Sequence, residues 1–173
     1  MSVDPTPANV APEHAPAATR RYVAVIGPGT ATDEQVAAAR ALGRGLAERD
    51  VVVLTGGHGG VMAAAATGVA EAGGLSIAIL PGPDRAEADP AHTFALPTGL
   101  GELRNGLLVR CADVVVSVGC SWGTLAEVAL AVRTGVSLVA IDCWELPDGG
   151  PQAAVSVVDA LAQVDRLLSN LRR

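Results

Sequence analysis

Residues 118–129, VGCSWGTLAEVA, lead from an apolar run through a glycine-rich turn into a helical pattern. A buried strand, a turn and a helix in this order form the repeating unit of parallel α/β sheets. The turn also fits two functional patterns. Gly119 to Gly123 spells G-x-S-x-G, which is typical of a hydrolase nucleophile elbow. Gly123 and Thr124, followed by Glu127, are typical of a turn that binds phosphate where a helix begins.

The same strand–turn–helix unit recurs along the chain. Continuous β-branched and aliphatic runs, without polar alternation, predict strands that are buried on both faces, as in parallel sheets. The predicted strands are residues 22–26, 51–54, 77–80, 114–116 and 138–141, with a shorter extended segment near 93–96. Helical patterns lie at about 32–49, 59–72, 99–112, 124–134 and 151–171. Because β and α segments alternate strictly, the sequence predicts an α/β fold with a doubly wound parallel sheet.

The length and composition predict one domain preceded by a tail. A chain of 173 residues is long enough to bury a substantial core. Residues 1–19 are rich in Pro and Ala and lack large apolar side chains, so we expect a flexible N-terminal tail there. Residues 20–173 are expected to form a single domain. Thr32 and Gln35 have the spacing of a capping box at the start of its first helix.

The charge pattern argues against a polyanionic partner. The formal net charge is −6, the chain contains no lysine, and its arginines are scattered, so no nucleic acid partner is predicted. A chain without lysine also cannot form a P-loop of the Walker type. The N-terminus does not have the pattern of a signal peptide, and no apolar run approaches the ~20 residues of a membrane span. We therefore expect a soluble, cytoplasmic protein with no membrane contact.

The cysteines and histidines do not have the spacing of a metal site. Cys111, Cys120 and Cys143 form no C-x-x-C pair, and the three histidines show no pairing pattern, so no metal is predicted. Cys111 lies on a helical apolar pattern and Cys143 directly follows a strand. We expect reduced thiols in or near the core.

Four glycine-rich loops follow predicted strands, at residues 27–30, 55–60, 97–101 and 119–124. Ligands of doubly wound folds bind beyond the carboxyl ends of the strands, where helix N-termini offer unpaired amides to phosphate. Four such loops at one edge predict a site where the backbone approaches a ligand closely. For each loop alone, a purely structural interpretation stays open, in which the glycines only let helices pack close to the sheet.

Two other interpretations of these loops fail on their own requirements. A dinucleotide site needs a third glycine in the first loop, where Pro28 also removes an amide, and an acidic residue after the second strand. The nucleophile elbow needs a histidine later in the chain than Ser121, but His14, His58 and His92 all precede it. A site for the phosphate of a nucleotide remains.

Arg104 and Glu127 fall in the first turns of two predicted helices at this edge, so both are expected to face one cleft. A structural alternative stays open for each residue. Thr124 and Glu127 have the spacing of a capping box, which needs no chemistry. For Arg104 the alternative is a solvated surface arginine. Leu103, Leu107 and Cys111 share the predicted apolar face of its helix, which places Arg104 beside that face and near the loops.

The motifs together resemble a known family. TGGHGGVM at 55–62, PTGLG at 97–101, Arg104-Asn105 and GTLAE at 123–127 occur in the order seen in the LONELY GUY (LOG) family. The chain most closely resembles the short bacterial members related to the molybdenum cofactor carrier protein, over about residues 21–145. This resemblance implies a Rossmann-like fold, a homodimer and a small-molecule nucleotide or phosphorylated ligand. No cofactor is predicted.

LOG enzymes are phosphoribohydrolases that cleave the N-glycosidic bond of a nucleoside 5′-monophosphate, giving free base and ribose 5-phosphate. By resemblance, Gly123 and Thr124 would hold the 5′-phosphate, Glu127 would lie at the ribose, and Arg104 would complete the catalytic pair. A carboxylate can stabilise an oxocarbenium-like transition state and position or deprotonate water. The predicted phosphate- or nucleotide-binding set is Gly27, Gly56, Gly57, Gly59, Gly60, Met62, Thr98, Asn105, Gly119, Ser121, Trp122, Gly123 and Thr124.

The chain departs from the family pattern P-G-G-x-G-T-x-x-E at its first three positions. Gly119, Cys120 and Ser121 stand where the pattern has Pro-Gly-Gly, and Asn105 stands where the enzymes usually carry Lys. These departures favour a second hypothesis, in which the protein carries a nucleotide or a molybdenum-cofactor-like phosphorylated ligand without cleaving it. The leading hypothesis remains the phosphoribohydrolase.

Overall fold

The computed structural model of the chain describes residues 20–146 and 149–171, so the predicted tail at 1–19 lies outside the described residues. One sheet of seven parallel strands runs through the domain in the order β4-β3-β2-β1-β5-β6-β7. The strands are β1 (Arg21–Ile26), β2 (Val51–Thr55), β3 (Ser76–Leu80), β4 (Phe94–Pro97), β5 (Val114–Val118), β6 (Ser137–Ile141) and β7 (Gln152–Ala154). The predicted α/β class and doubly wound, Rossmann-like parallel sheet are confirmed.

Helices connect the strands and cover both faces of the sheet. They are α1 (Asp33–Ala47), α2 (Val61–Glu71), α3 (Arg104–Cys111), α4 (Trp122–Thr134) and α5 (Val157–Asn170), with short 3₁₀ turns at Arg85–Glu87 and Gly101–Leu103. The predicted capping box of α1 is confirmed, because Gln35 N donates to Thr32 Oγ1 and Thr32 N donates to Gln35 Oε1. In the described part of the chain, no helix has the length and hydrophobicity needed to cross a bilayer.

The prediction of one helix from 151 to 171 is wrong at its start. Residues Gln152–Ala154 form β7, which pairs with β6 at the sheet edge, and α5 begins only at Val157. Ser156 ends the extended segment, since its side chain accepts from Asp159 N at 3.1 Å and so caps α5. Backbone pairing along β6 outweighs the helix preference of the two alanines in β7, and such tertiary pairing is invisible in local sequence.

The order of the strands creates a topological switch point. The chain builds β1 to β4 outward in one direction, then returns to place β5 on the other side of β1. Helices α1, α2 and α5 pack on one face of the sheet, and α3 and α4 pack on the other. The loops after β1 and β5 therefore diverge to opposite faces, which leaves a crevice between them where this fold class binds ligands.

Two glycines let α1 and α2 approach at backbone distance. A Cβ added at Gly43 would lie 2.9 Å from the carbonyl carbon of Ala65, and one added at Gly68 would lie 2.8 Å from that of Arg40. Because the obstacles are backbone atoms rather than flexible side-chain ends, the helices would have to separate to admit a methyl group. The close packing of these helices in turn holds α2 against the start of the first loop.

We expect Gly43→Ala to destabilise the fold by about 1–3 kcal/mol, because the added methyl group overpacks the α1–α2 contact. Urea unfolding followed by circular dichroism measures this free energy. Gly106→Ala is the matched control: Gly106 lies in α3 with open space around its Cβ position, so the change should raise stability by up to about 1 kcal/mol. Equal effects of the two substitutions would contradict this account of the packing.

Candidate functional site

A cavity of about 230 Å³ opens at the switch point, between the loops after β1 and β5. Each of those loops supplies residues to its wall, and so do the starts of α2, α3 and α4. Its lining residues are Gly27, Gly29, Met62, Pro81, Glu102, Arg104, Asn105, Ser121, Gly123, Thr124 and Glu127. Eight of these belong to the set that the sequence predicted, and they include residues from three of the four motifs; no residue of 97–101 lines the cavity.

Arg104 and Glu127 form a buried ion pair in the cavity wall. Arg104 Nη1 donates to Glu127 Oε1 at 2.9 Å, and both side chains are about nine-tenths buried. The same nitrogen donates to Asn105 Oδ1 at 2.5 Å. Arg104 Nε is buried without a hydrogen-bond partner among the described residues. The expectation that both residues face one cleft is confirmed, and Arg104 is not a solvated surface arginine.

The environment of Glu127 makes its carboxyl group a proton acceptor of intermediate strength. Burial raises its pKa to about 7, although the neighbouring Arg104 charge and its hydrogen bond act in the opposite direction. A carboxyl group with a pKa near the working pH suits general acid–base chemistry. The combination of desolvation and one specific charge partner in a cleft is typical of functional sites.

The capping-box interpretation of Thr124 and Glu127 is wrong. Helix α4 begins two residues earlier, at Trp122, and its N-cap is Ser121, whose Oγ accepts from Thr124 N at 3.2 Å and lies 2.9 Å from Thr124 Oγ1. Glu127 therefore lies beyond the first turn of the helix and pairs with Arg104 rather than with the cap. Ser121, the serine of the G-x-S-x-G pattern, serves as a helix cap in this structure.

Gly56 of the second glycine loop lies against Arg104 and Met62, two residues of the cavity wall. A Cβ added at Gly56 would lie 2.9 Å from the Arg104 guanidinium carbon and 2.9 Å from Met62 Sδ. Gly56 therefore makes room for the buried arginine, while the Met62 side chain reaches the cavity. The amide of Val61 at the start of α2 is already used, because it donates to the Pro28 carbonyl at 3.1 Å.

The other predicted residues lie around the cavity without lining it; they are Gly57, Gly59, Gly60, Thr98, Gly119 and Trp122. Thr98 Oγ1 donates to the Leu80 carbonyl at 2.7 Å and so holds the turn after β4. Gly119 has a φ of +70° at the end of β5, and its amide donates to the Ile141 carbonyl at 2.8 Å. Trp122 is 79% exposed and its ring contacts Trp144 edge-on, with centroids 5.0 Å apart.

Three lining residues were not predicted: Gly29, Pro81 and Glu102. Gly29 belongs to the first glycine loop, so its pattern was visible in the sequence. Pro81 directly follows β3, and its place at the carboxyl end of that strand was the available signal. Glu102 lies in the 3₁₀ turn that leads into α3, and the sequence contains no feature that distinguishes it from other surface carboxylates.

The predicted apolar face of α3 is wrong in orientation. Leu103 is 80% exposed and Leu107 is 42% exposed, whereas Leu108 and Val109 are fully buried against the sheet. Leucines lie on both sides of this short helix, so periodicity alone could not select the buried face. Turning Leu108 inward also brings Arg104, one turn earlier, into the protein.

The expectation of reduced thiols in or near the core is wrong for Cys120 and Cys143, and Cys111 is a free thiol but lies at the surface. The structure joins Cys120 and Cys143 in a disulfide, and Cys111 is exposed. Cys120 follows β5 and Cys143 follows β6, two strands that are neighbours in the sheet. The pairing depends on this register, and the separation of 23 residues along the chain did not reveal it.

Two solved structures of other proteins share this fold and are similar to the chain in sequence. The molybdenum cofactor binding protein from the phototrophic bacterium Rippkaea orientalis superposes with a TM-score of 0.82 at 31% identity, covering 86% of this chain and 98% of that chain. The molybdenum cofactor carrier protein from Chlamydomonas reinhardtii superposes with a TM-score of 0.81 at 35% identity, covering 88% and 99%.

A sequence relative from Archaeoglobus fulgidus, described as an uncharacterized protein, is 38% identical over 116 residues, which are 65% of this chain and 74% of the relative. The model of the SLOG cluster4 family matches residues 20–168. This match covers most of the chain and agrees with the resemblance to LOG-related proteins that the motifs indicated. The chain therefore belongs to the SLOG cluster4 family.

Proposed function

We propose that the cavity at the switch point binds the phosphate of a nucleotide or a similar phosphorylated ligand at the start of α4. The first amides of a helix have no partner within the helix, and they point toward the positive end of its dipole. Gly123 lies in this first turn and lines the cavity, and so does Thr124, although its own amide already donates to Ser121 Oγ. The guanidinium of Arg104 adds a cationic group in the same wall.

The function that this site supports best is hydrolysis of the N-glycosidic bond of a nucleoside 5′-monophosphate. The observation that carries it is the buried Arg104–Glu127 pair, with a carboxyl pKa near 7, beside the proposed phosphate position. In this reaction water attacks C1′ of the ribose, the bond from C1′ to the base nitrogen breaks, and the products are free base and ribose 5-phosphate. Glu127 would accept the proton of the water and stabilise the cationic transition state.

Arg104 would have two roles in this reaction. Its Nη1 holds the Glu127 carboxylate in one orientation, and its positive charge lies in the cavity wall beside the proposed phosphate position. The cavity of about 230 Å³ is smaller than the 300–1,000 Å³ typical of sites that enclose a whole ligand. We therefore place the phosphate and ribose inside and the base toward the mouth.

We expect Glu127→Gln to lower the rate of base release by roughly 10²–10⁴-fold, because the amide cannot accept a proton. The measurement incubates the purified chain with a panel of nucleoside 5′-monophosphates and follows free base by chromatography. Glu48→Gln is the matched control: this carboxylate is exposed at the end of α1, away from the cavity, and its loss should leave the rate unchanged. Base release that survives in Glu127→Gln would refute the assignment of the base.

The pH dependence of base release gives an independent check on Glu127. Because the reaction needs the carboxylate and its pKa is about 7, kcat/KM should rise with pH through 7 and fall about tenfold per unit well below it. The second pKa of the substrate phosphate is itself about 6. Any residual activity of Glu127→Gln controls for this, since it should keep the substrate's titration and lose the step near 7. A wild-type profile that is flat between pH 6 and 8 would contradict the proposal.

A second candidate function is that of a carrier that binds a phosphorylated ligand without cleaving it. Two observations favour it: the two solved structures named above are described as molybdenum cofactor binding and carrier proteins, and Asn105 contacts Arg104 where the LOG enzymes usually have Lys. Tight binding of a nucleotide with no release of base from any member of the panel would select this candidate.

We also propose a homodimer that forms through an exposed apolar surface, here called the α3 surface. It consists of Phe94, Leu96, Leu100, Leu103 and Leu107, all between 42% and 80% exposed. Phe94 and Leu96 of the edge strand β4 are in register with Ile77 and Ile79, whose side chains face the same layer as α3. An apolar surface of this extent on one face is typical of a protein–protein contact.

Leu103→Asp should convert the dimer to a monomer, because it introduces a charge into the centre of the α3 surface. Light scattering coupled to size-exclusion chromatography measures the mass directly. Val158→Asp is the matched control, since Val158 is 78% exposed on α5 and lies outside that surface. A wild-type chain that is monomeric at micromolar concentration would reject the dimer.

The remaining partners follow from charge. With a net charge of −6 and no lysine, we propose that the ligand is a small molecule rather than a nucleic acid or a membrane surface. We also propose that the protein works in the cytoplasm. The anion would be held by backbone amides and the arginine of the cavity.

A further inference from the structure

The disulfide joins residues 119–124, here called the ligand-site loop, to the loop that follows β6. Val118 at the end of β5 is in register with Ile141 at the end of β6. Cys120 and Cys143 each lie two residues beyond this pair, and their Cα atoms are 4.9 Å apart. This separation is within the range that a disulfide spans without movement of the backbone. The parallel register therefore brings the two sulfurs together at the carboxyl edge of the sheet.

Cys120 belongs to the segment that forms the site. It directly precedes Ser121, which caps α4 and lines the cavity. On its other side, Gly119 is fixed by the hydrogen bond from its amide to the Ile141 carbonyl. A covalent link at Cys120 thus restrains the residue immediately before the cap, so its presence affects how firmly the start of α4 is held.

Both cysteines are partly exposed, so a small thiol or disulfide can reach them. The two loops make one further contact beside the sulfurs, where the exposed rings of Trp122 and Trp144 meet edge-on at 5.0 Å. Residues 142–146, which follow β6, form neither helix nor strand. Besides the disulfide, this segment is held by the hydrogen bond that Gln35 Nε2 donates to Asp142 Oδ2 at 3.2 Å and by Leu146, which packs against the core.

We propose that Cys120 and Cys143 are a reversible redox site, whose disulfide fixes the ligand-site loop and whose reduction releases it. The exchange chemistry does not depend on the proposed function; only its effect on ligand affinity rests on the phosphate site proposed above. In reducing compartments, disulfides are uncommon and are mostly transient or redox-sensing, which suits a pair placed at a site rather than in the core.

The oxidant is a low-molecular-weight disulfide, RSSR. One cysteine thiolate attacks RSSR, forms a mixed disulfide and releases one RS⁻. The second thiolate attacks the protein sulfur of the mixed disulfide, forms the Cys120–Cys143 bond and releases the other RS⁻. The two protons lost by the protein thiols end on two RSH molecules. The protein loses two electrons and RSSR gains them, and an excess of RSH reverses both steps.

Thiol labelling tests the redox site without any ligand. The full chain is equilibrated in buffers of varied ratio of reduced to oxidised glutathione, alkylated, and analysed by mass spectrometry. Labels on Cys120 and Cys143 should appear together as the reduced fraction rises, while Cys111 reacts independently. A pair that stays alkylated at every ratio, or one that stays oxidised at every ratio, would overturn the proposal.

Hydrogen exchange tests the release of the loop. The amides of residues 119–124 should exchange faster in the reduced chain than in the oxidised chain, and those of β1 should not change. Cys120→Ser and Cys143→Ser should each behave as the reduced chain under both conditions. Cys111→Ser is the matched control and should behave as the wild type. Equal exchange of residues 119–124 in the two redox states would show that the disulfide does not restrain this loop and would overturn the proposal.

Calorimetric titration with AMP tests the effect on the site. The oxidised chain should bind about three- to tenfold more tightly than the reduced chain, because ligand binding then pays less of the ordering cost of the loop. Equal affinity in both states would overturn the coupling to the site. If AMP does not bind, the other nucleotides of the panel are titrated in turn. Absence of binding by every member in both states would reject the proposed nucleotide site, and labelling and hydrogen exchange would still decide the redox site.

Discussion

The parallel pairing of β5 with β1 is the constraint on which the rest of the structure depends. It returns the chain to the centre of the sheet after β4 and sends α1 and α4 to opposite faces. The crevice that results lies between the loops after β1 and β5, and every lining group of the cavity is delivered to it by an element that starts or ends at this edge. Without this pairing, the start of α4 would have no facing loop and the cavity would have no second wall.

Within that crevice, one buried ion pair is the feature on which the proposed chemistry rests. A desolvated charge is expensive unless it is paired, so Arg104 and Glu127 are each retained in the wall by the other. Gly56 is part of the same arrangement, since a side chain there would occupy the space of the guanidinium. The pair therefore links three of the four sequence motifs through direct contacts, and its balance of burial and charge is what brings the Glu127 carboxyl into a useful range of pKa.

The loop before α4 differs from the LOG pattern at the position where the structure has a disulfide. Where the family pattern has two glycines, Ser121 supplies the helix cap and Cys120 supplies half of a disulfide. Side chains thus restrain a segment that the family builds from glycine, where the backbone is intrinsically free. The G-x-S-x-G pattern that suggested a nucleophile is explained by this restraint, because the serine hydroxyl is engaged with Thr124 at the start of the helix.

Local pattern in the sequence determined the alternation of strands and helices, the doubly wound class and the convergence of Arg104 and Glu127. Continuous apolar runs mark the buried parallel strands, and glycine-rich turns mark the loops at their carboxyl ends, so both are visible in the local sequence. Tertiary structure alone decided the rest. Pairing with β6 converted residues 152–154 from predicted helix to strand, the register of β5 and β6 brought Cys120 to Cys143, and packing against the sheet chose Leu108 rather than Leu107 for burial. Each of these outcomes depends on contacts between residues far apart in the chain, and such contacts leave no local signal in the sequence.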